Sequence, residues 1–368
     1  MASNTRSVYK ARHKGKHSPR DKRGRHTVGG VSPSTPDIIK KAKALYESHN
    51  HEQAMVYFKI AAERGHTRSQ CTVGYLFEKG QGVTCDYKEA MKWYKRAAKL
   101  GDPYGQSNLA YLYKNGLGTD QKYTKAIKWY KKAADQNHAW GQNNLGCMYE
   151  KGQGCEKDYI NAARLYQKSA LKGNACAQSN LGVLYENGKG VPKDYDRAFH
   201  LYLQSANQGH AGGQNNLGLA YDFGIGTDKR QDLAFYWFGQ AAAQGNLFGQ
   251  YNFALMYEHG RGTEKNMKQA VLWYKKAMDQ GHVLAKQKLA NLDNVDVFGE
   301  EGVEYNIELG PDPVCLRDKL PIGEKLSSRR MSVHEYSKRS SLFADHPNEN
   351  GLILPKQPPR GFEFYDDL

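Results

Sequence analysis

The sequence predicts an all-α protein built as a stack of helix pairs, and two phased series of small residues carry that reading. Gly74, Ala110, Gly146, Gly182, Gly218, Ala254 and Ala290 stand 36 residues apart. A second series, Gly65, Gly101, Asn137, Gly173, Gly209, Gly245 and Gly281, keeps the same period. Around each anchor of the first series, large side chains recur at spacings of three and four, which places them on one face of a helix. A fixed period of this kind means repeats that bury their apolar faces on their neighbours, so function is expected on an extended surface.

The elements follow in chain order. Residues 37–48 and 51–64 read as an opening helix pair joined at Asn50 without a glycine loop, and residues 36–65 are assigned to an N-terminal cap. Residues 66–294 form the regular array. In each unit a first helix carries a large apolar residue before the anchor (Val73, Leu109, Leu145, Leu181, Leu217, Phe253, Leu289) and an aromatic three residues after it (Phe77, Tyr113, Tyr149, Tyr185, Tyr221, Tyr257). Paired glycines such as Gly80/Gly82 and Gly152/Gly154 then stop the helix, because glycine enters the left-handed region at little steric cost. A second helix opens with Asp86, Asp158 or Asp194 as N-cap and buries sets such as Ala90, Trp93, Tyr94 and Ala97. Its small residues allow close approach within a pair, and its aromatics are expected to fill the space between neighbouring pairs. Residues 284–294 supply a closing helix, so the sequence predicts seven helix pairs plus one.

The stretch Ala177-Gln178-Ser179-Asn180-Leu181-Gly182-Val183-Leu184-Tyr185-Glu186-Asn187-Gly188-Lys189-Gly190-Val191 closely resembles the Sel1-like repeat, a relative of the tetratricopeptide repeat. The likeness is strong over residues 66–294, looser over 36–65, and leaves both tails unexplained. It implies a right-handed α-solenoid that acts as an adaptor or scaffold, without naming a partner.

Composition agrees with a soluble chain. The 368 residues are 39% hydrophobic and contain no apolar run long enough to span a membrane or resemble a secretory signal. Six cysteines lack Cys-x-x-Cys spacing and hold no fixed place in the repeat, which points to reduced thiols in the cytoplasm or nucleus. The net charge of +15 is uneven: residues 1–30 hold nine Lys/Arg against one acid, whereas 295–368 hold nine against fourteen.

Helical geometry places the candidate ligand surface on the first helices, opposite their packed face. There the positions three before, one after and four after the anchor would line the inner curve. Two before the anchor runs a column of Asn108, Asn144, Asn180, Asn216 and Asn252, and four after it stand Glu150, Glu186, Asp222 and Glu258. In related tetratricopeptide arrays, first-helix asparagines bind the main chain of an extended peptide, and an amide both donates and accepts. Two readings therefore stand for this column: a peptide ladder, or bonds between neighbouring turns and helices. The carboxylates would favour a peptide bearing Lys or Arg. On the second helices, Lys92, Lys95, Arg96, Lys99, Lys128, Lys131, Lys132, Lys168, Lys172, Lys275 and Lys276 should face outward.

Catalytic and cofactor chemistry find no support. His66, His138, His210 and His282 alternate with Asp102, Asn174 and Asn246 at one repeat position, which suits helix capping and not a shared metal ion. Ser7-Val8-Tyr9-Lys10 lacks the companion motifs of the penicillin-recognising enzymes, and the recurrent Gly-x-Gly follows a helix, not a strand. No catalytic residue, metal site or cofactor is assigned.

The tails offer targeting and regulation. Low hydrophobicity predicts a disordered arm over 1–35, whose Lys14, Lys16, Arg20, Lys22, Arg23 and Arg25 suit a nuclear address or an anion contact. In the tail 295–368, Ser332 and Ser341 follow basic residues as candidate phosphorylation sites. Pro355–Arg360 fits a Pro-x-x-Pro-x-Arg ligand for an SH3-type partner. The leading expectation is a non-catalytic cytoplasmic or nuclear adaptor with a peptide groove. The alternative is a binder of nucleic acid, an acidic membrane surface or another polyanion through the basic arm and outer face.

Overall fold

A computed structural model describes residues 33–292, and these residues form fifteen α-helices and no strand. The tails, with Ser332, Ser341, Pro355–Arg360 and the basic arm, lie outside the described residues. The described residues divide into two compact units, one ending at Gln136 and the other beginning at Asn137. The first contains α1 (Thr35–Glu47), α2 (His51–Glu63), α3 (Thr67–Lys79), α4 (Tyr87–Lys99), α5 (Pro103–Asn115) and α6 (Tyr123–Asp135). The second contains α7 (Ala139–Lys151), α8 (Tyr159–Ala170), α9 (Ala175–Asn187), α10 (Tyr195–Asn207), α11 (Ala211–Phe223), α12 (Gln231–Ala243), α13 (Leu247–His259), α14 (Met267–Asp279) and α15 (Val283–Leu292). Within each unit every helix packs on the one before and the one after it, the arrangement of a helical repeat solenoid. Seven pairs and a closing helix result.

Side-chain caps start the helices where the repeat grammar places them. His66 Nδ1, Asp102 Oδ1, His138 Nδ1, Asn174 Oδ1, His210 Nδ1, Asn246 Oδ1 and His282 Nδ1 each accept the backbone N–H three residues on, at 2.6–3.2 Å. The mixed His/Asp/Asn column is thus one of helix caps. Asp86, Asp158 and Asp194 cap α4, α8 and α10 in the same way, and Asn266 joins them on α14.

Glycine is required twice in the connection between α9 and α10, for different reasons. Gly188 ends α9 in the left-handed region, at φ 65°. Gly190, at φ 70°, comes so close to the start of α8 that a β-carbon there would lie 2.2 Å from the Tyr159 carbonyl oxygen. The first glycine turns the chain; the second seats the loop on the preceding repeat.

The anchor glycines close each pair. A β-carbon at Gly74, Gly146, Gly182 or Gly218 would lie 2.6–2.8 Å from the ring of Tyr94, Tyr166, Tyr202 or Phe238 respectively. These rings are among the most deeply buried side chains of the protein. The structure therefore corrects the expectation that second-helix aromatics fill only the space between pairs, because this ring lies inside the pair, over its own anchor. Aromatic contacts between pairs come from a different position: Phe199 meets Tyr221 at 5.4 Å and Phe235 meets Phe253 at 4.8 Å between ring centroids. The last anchor departs from the rest. Ala290 is exposed, because no second helix follows α15 among the described residues to cover it.

Candidate interaction surface

First helices of successive repeats lie side by side, with α3 against α5, α9 against α11, and α11 against α13. Their flanks are consequently covered. Cys71, Ser107, Asn143, Ser179 and Asn215, three before the anchor, are buried and do not line a surface. Helical periodicity identifies the side opposite the core but not the neighbour that closes on it, which is why the expectation for these residues fails.

The asparagine column runs along this seam. Asn180 Nδ2 donates to Asn143 Oδ1 at 3.1 Å, Asn252 Nδ2 to Asn215 Oδ1 at 2.9 Å, and Asn216 Nδ2 to Ser179 Oγ at 3.2 Å. Asn108 Nδ2 approaches Cys71 Sγ at 3.6 Å. Each partner stands 37 residues earlier, on the first helix of the preceding repeat. Asn144 and Asn216 are only 1% and 8% exposed, so the structure takes both out of a groove open to a ligand. Asn108, Asn180 and Asn252 remain half-buried, at the edge of the surface.

The carboxylates four after the anchor are also engaged. Tyr166 Oη donates to Glu150 Oε2 and Tyr202 Oη to Glu186 Oε2, each at 2.6 Å, and Tyr94 Oη donates to the buried Glu78 at 2.8 Å. Tyr274 donates likewise to Glu258. Where the ring is Phe238 and has no hydroxyl, Asp222 instead binds Arg261 of the next repeat at 2.7 Å. Lys288 binds Glu258 at 2.8 Å. Burial raises the Glu150 and Glu186 carboxyls above their ordinary range, although the tyrosine hydroxyls work against the shift. Burial acts in the same direction on Glu258, but Lys288 and Tyr274 together outweigh it and hold that carboxyl low.

A second amide ladder escaped the sequence reading. Gln136 Nε2 donates to Gln106 Oε1 at 2.8 Å, Gln208 to Gln178 at 2.6 Å, Gln244 to Gln214 at 2.7 Å, and Gln280 to Gln250 at 2.7 Å. Each bond spans 30 residues, tying the end of a second helix to the preceding first helix. The signal was present as two glutamine columns of period 36.

What remains at the surface of the first helices is largely apolar. Tyr75, Tyr104 and Tyr111 in the first unit are half-buried, as are Trp140, Leu219, Phe248, Tyr251 and Leu255 in the second. Arg68 lies over the Tyr104 ring, 3.4 Å from its centroid, and Tyr251 stacks on His282 at 4.3 Å. The tyrosines and Trp140 are rigid, amphipathic and partly wet, and with Phe248 and the two leucines they form a surface suited to contact with another protein. Burial holds the Cys71 thiol protonated and pushes Cys176 up to about 12. No described helix is long and apolar enough to cross a membrane.

Comparison with known proteins gives consistent matches. The Sel1 repeat profile matches residues 42–66, 67–102, 103–138, 141–174, 177–210, 211–246 and 247–282. A Sel1 repeat protein from Oxalobacter formigenes is 32% identical over 66% of this chain and 96% of its own, with a TM-score of 0.60. A protective antigen present in uropathogenic Escherichia coli strains, of SLR fold, is 34% identical with a TM-score of 0.54. That match covers 71% of this chain and 57% of the antigen, so the chain spans just over half of the antigen's length. No curated protein matches the chain significantly.

Proposed function

The chain belongs to the Sel1 repeat family, and from that premise we propose that it is a non-catalytic adaptor that binds a partner protein through its first-helix surface. Sel1 repeat solenoids are typically scaffolds for protein–protein interaction and are generally non-catalytic. The observation that carries the reading is the half-buried set of Leu219 on α11 and Phe248, Tyr251 and Leu255 on α13, the helix that also carries the half-buried Asn252. Packing buries the anchors from Gly74 to Ala254 and the inward rings over them, yet leaves these side chains partly in water.

The edge amides Asn180 and Asn252 are assigned to the main chain of an extended partner segment, because each engages its Nδ2 across the seam while an amide oxygen can accept as well. Glu150 and Glu186 are assigned to its basic side chains. Asp222 and Glu258 already hold Arg261 and Lys288 and are left out of that role. A cytoplasmic or nuclear setting, and regulation through Ser332, Ser341 and Pro355–Arg360, belong to the same proposal.

Affinity capture tests it. The full chain should retain a partner that a Leu219→Asp, Leu255→Asp variant of unchanged helicity releases. Equal capture by both would refute the assignment of this surface.

A further inference from the structure

The outward side of the first unit carries a charge pattern that the repeat does not need. On α4, Lys88, Lys92, Lys95, Arg96 and Lys99 are exposed, and on α6 Lys125, Lys128, Lys131 and Lys132 are exposed. The α4 cations fall at i, i+4, i+7, i+8 and i+11, a single stripe along the helix. Lys92 and Lys128, Lys95 and Lys131, and Arg96 and Lys132 are repeat equivalents 36 residues apart, so the two stripes face the same way.

Neutralisation of this face is thin. Asp86 caps α4, Asp135 ends α6, and among the described residues Glu89 is the one carboxylate in ion-pair range of a cation on either helix, through Lys92. The fold itself is indifferent to the charges. The three equivalent positions are His200, Leu203 and Gln204 on α10, and Tyr236, Gly239 and Gln240 on α12. Those helices keep the same inward ring, Tyr202 or Phe238, without the lysines.

Aromatic rings accompany the cations. Tyr87, at the first position of α4, is 36% exposed, and its repeat equivalent Tyr123 on α6 is partly exposed. Trp129 is partly exposed between Lys128 and Lys132, with the Lys132 ammonium 4.6 Å from its ring centroid.

We infer that this face of the first unit binds single-stranded nucleic acid, with the lysines on phosphates and Tyr87 and Tyr123 stacking on bases. Phosphate contact releases condensed counterions, and unpaired bases alone offer a free face to a side-chain ring. An acidic membrane fits less well. Beyond Tyr87 and Leu100 at the C-cap of α4, neither helix exposes a large apolar side chain to insert between lipids.

The test uses the full chain and a fluorescein-labelled RNA of mixed sequence, with affinity read by anisotropy from ~50 to ~300 mM salt. Replacing Lys92, Lys95, Lys128 and Lys131 with Gln should lower affinity at least tenfold and make the salt slope shallower by about 3, at roughly 0.7 per lost phosphate contact. A control variant replaces Lys229, Lys265, Lys268 and Lys286, exposed residues of the second unit, with Gln and has the same net charge. It should bind as the parent does. Tyr87→Ala with Tyr123→Ala should weaken binding and leave the slope unchanged, and a duplex of equal length should bind less tightly than the single strand.

Circular dichroism verifies that every variant remains folded. Several results would overturn the inference: no binding at the lowest salt, an equal loss in the control variant, an unchanged affinity in either test variant, or equal affinity for the duplex. So would loss of binding to phosphatidylcholine/phosphatidylserine vesicles by the lysine variant while its RNA affinity persists.

Discussion

Gly182 and Tyr202 meet so closely that a β-carbon at 182 would stand 2.6 Å from the tyrosine Cε1, while the same ring's hydroxyl donates to Glu186 at 2.6 Å. One side chain thus presses on the anchor of its own pair and holds the carboxylate one turn further along. Close packing and the polar bond share the same ring, so a change that displaces the ring disturbs both.

Replacing Gly182 with Leu should displace the Tyr202 ring and loosen its bond to Glu186. Overpacking of a core costs about 1–3 kcal/mol, and loss of the bond adds to it. Thermal unfolding should show a clear fall in Tm. Gly182→Ala should cost less, because Ala110 and Ala254 occupy the same repeat position. An unchanged Tm for Gly182→Leu would mean that the seam is not tightly packed.

His210 makes stability depend on pH. Its Nδ1 accepts the Gly213 N–H at 3.0 Å and so must be unprotonated, and burial lowers its pKa to about 4. The unfolded chain binds the proton more readily, with a pKa of about 6.5. The stabilisation is therefore complete above that value and is lost as pH falls towards about 4, by roughly 3 kcal/mol in all. Burial lowers His66 and His282 in the same sense, whereas the raised Glu150 and Glu186 act oppositely. Urea unfolding from about pH 7 to 4.5 should show a smaller acid loss for His210→Asn than for the parent, since asparagine caps equivalent helices at Asn174 and Asn246 without titrating. Parallel curves for the two proteins would remove the histidine cap from the account.

Asn180→Ala should reveal how much of the amide column is structural. The change leaves the Oδ1 of the almost wholly buried Asn143 without its donor, which costs about 1–3 kcal/mol. Chemical denaturation measures that cost directly. A variant of full stability that loses partner affinity would give Asn180 a ligand-binding role alone.

Much of the fold was legible in the residues, and the reason is physical. Anchor spacing, capping residues and paired glycines all act locally, so Asp86, Gly188 and the cap column at His66 and Asn174 could be placed from the chain itself. The candidate surface was less legible, because periodicity aligns equivalent residues into columns without saying which columns touch. Asn180 and Asn143 form a bond across 37 residues, Tyr202 and Glu186 across 16, and Gln208 and Gln178 across 30. In the bare sequence each appears as a polar column compatible with ligand or neighbour. The partly exposed remainder at Leu219 and Leu255 emerges only after those pairings are known.

Site-specific photocrosslinking addresses the central claim most directly. A benzoylphenylalanine at Leu255, on the first-helix surface, is compared with one at Leu171, which is 82% exposed at the end of α8. Both full-length proteins are irradiated in cells that naturally make the chain, and covalent adducts are resolved by mass. The account predicts a discrete protein adduct from position 255 and none of that mass from position 171. Adducts from 171 alone, or the same adduct from both positions, would contradict it.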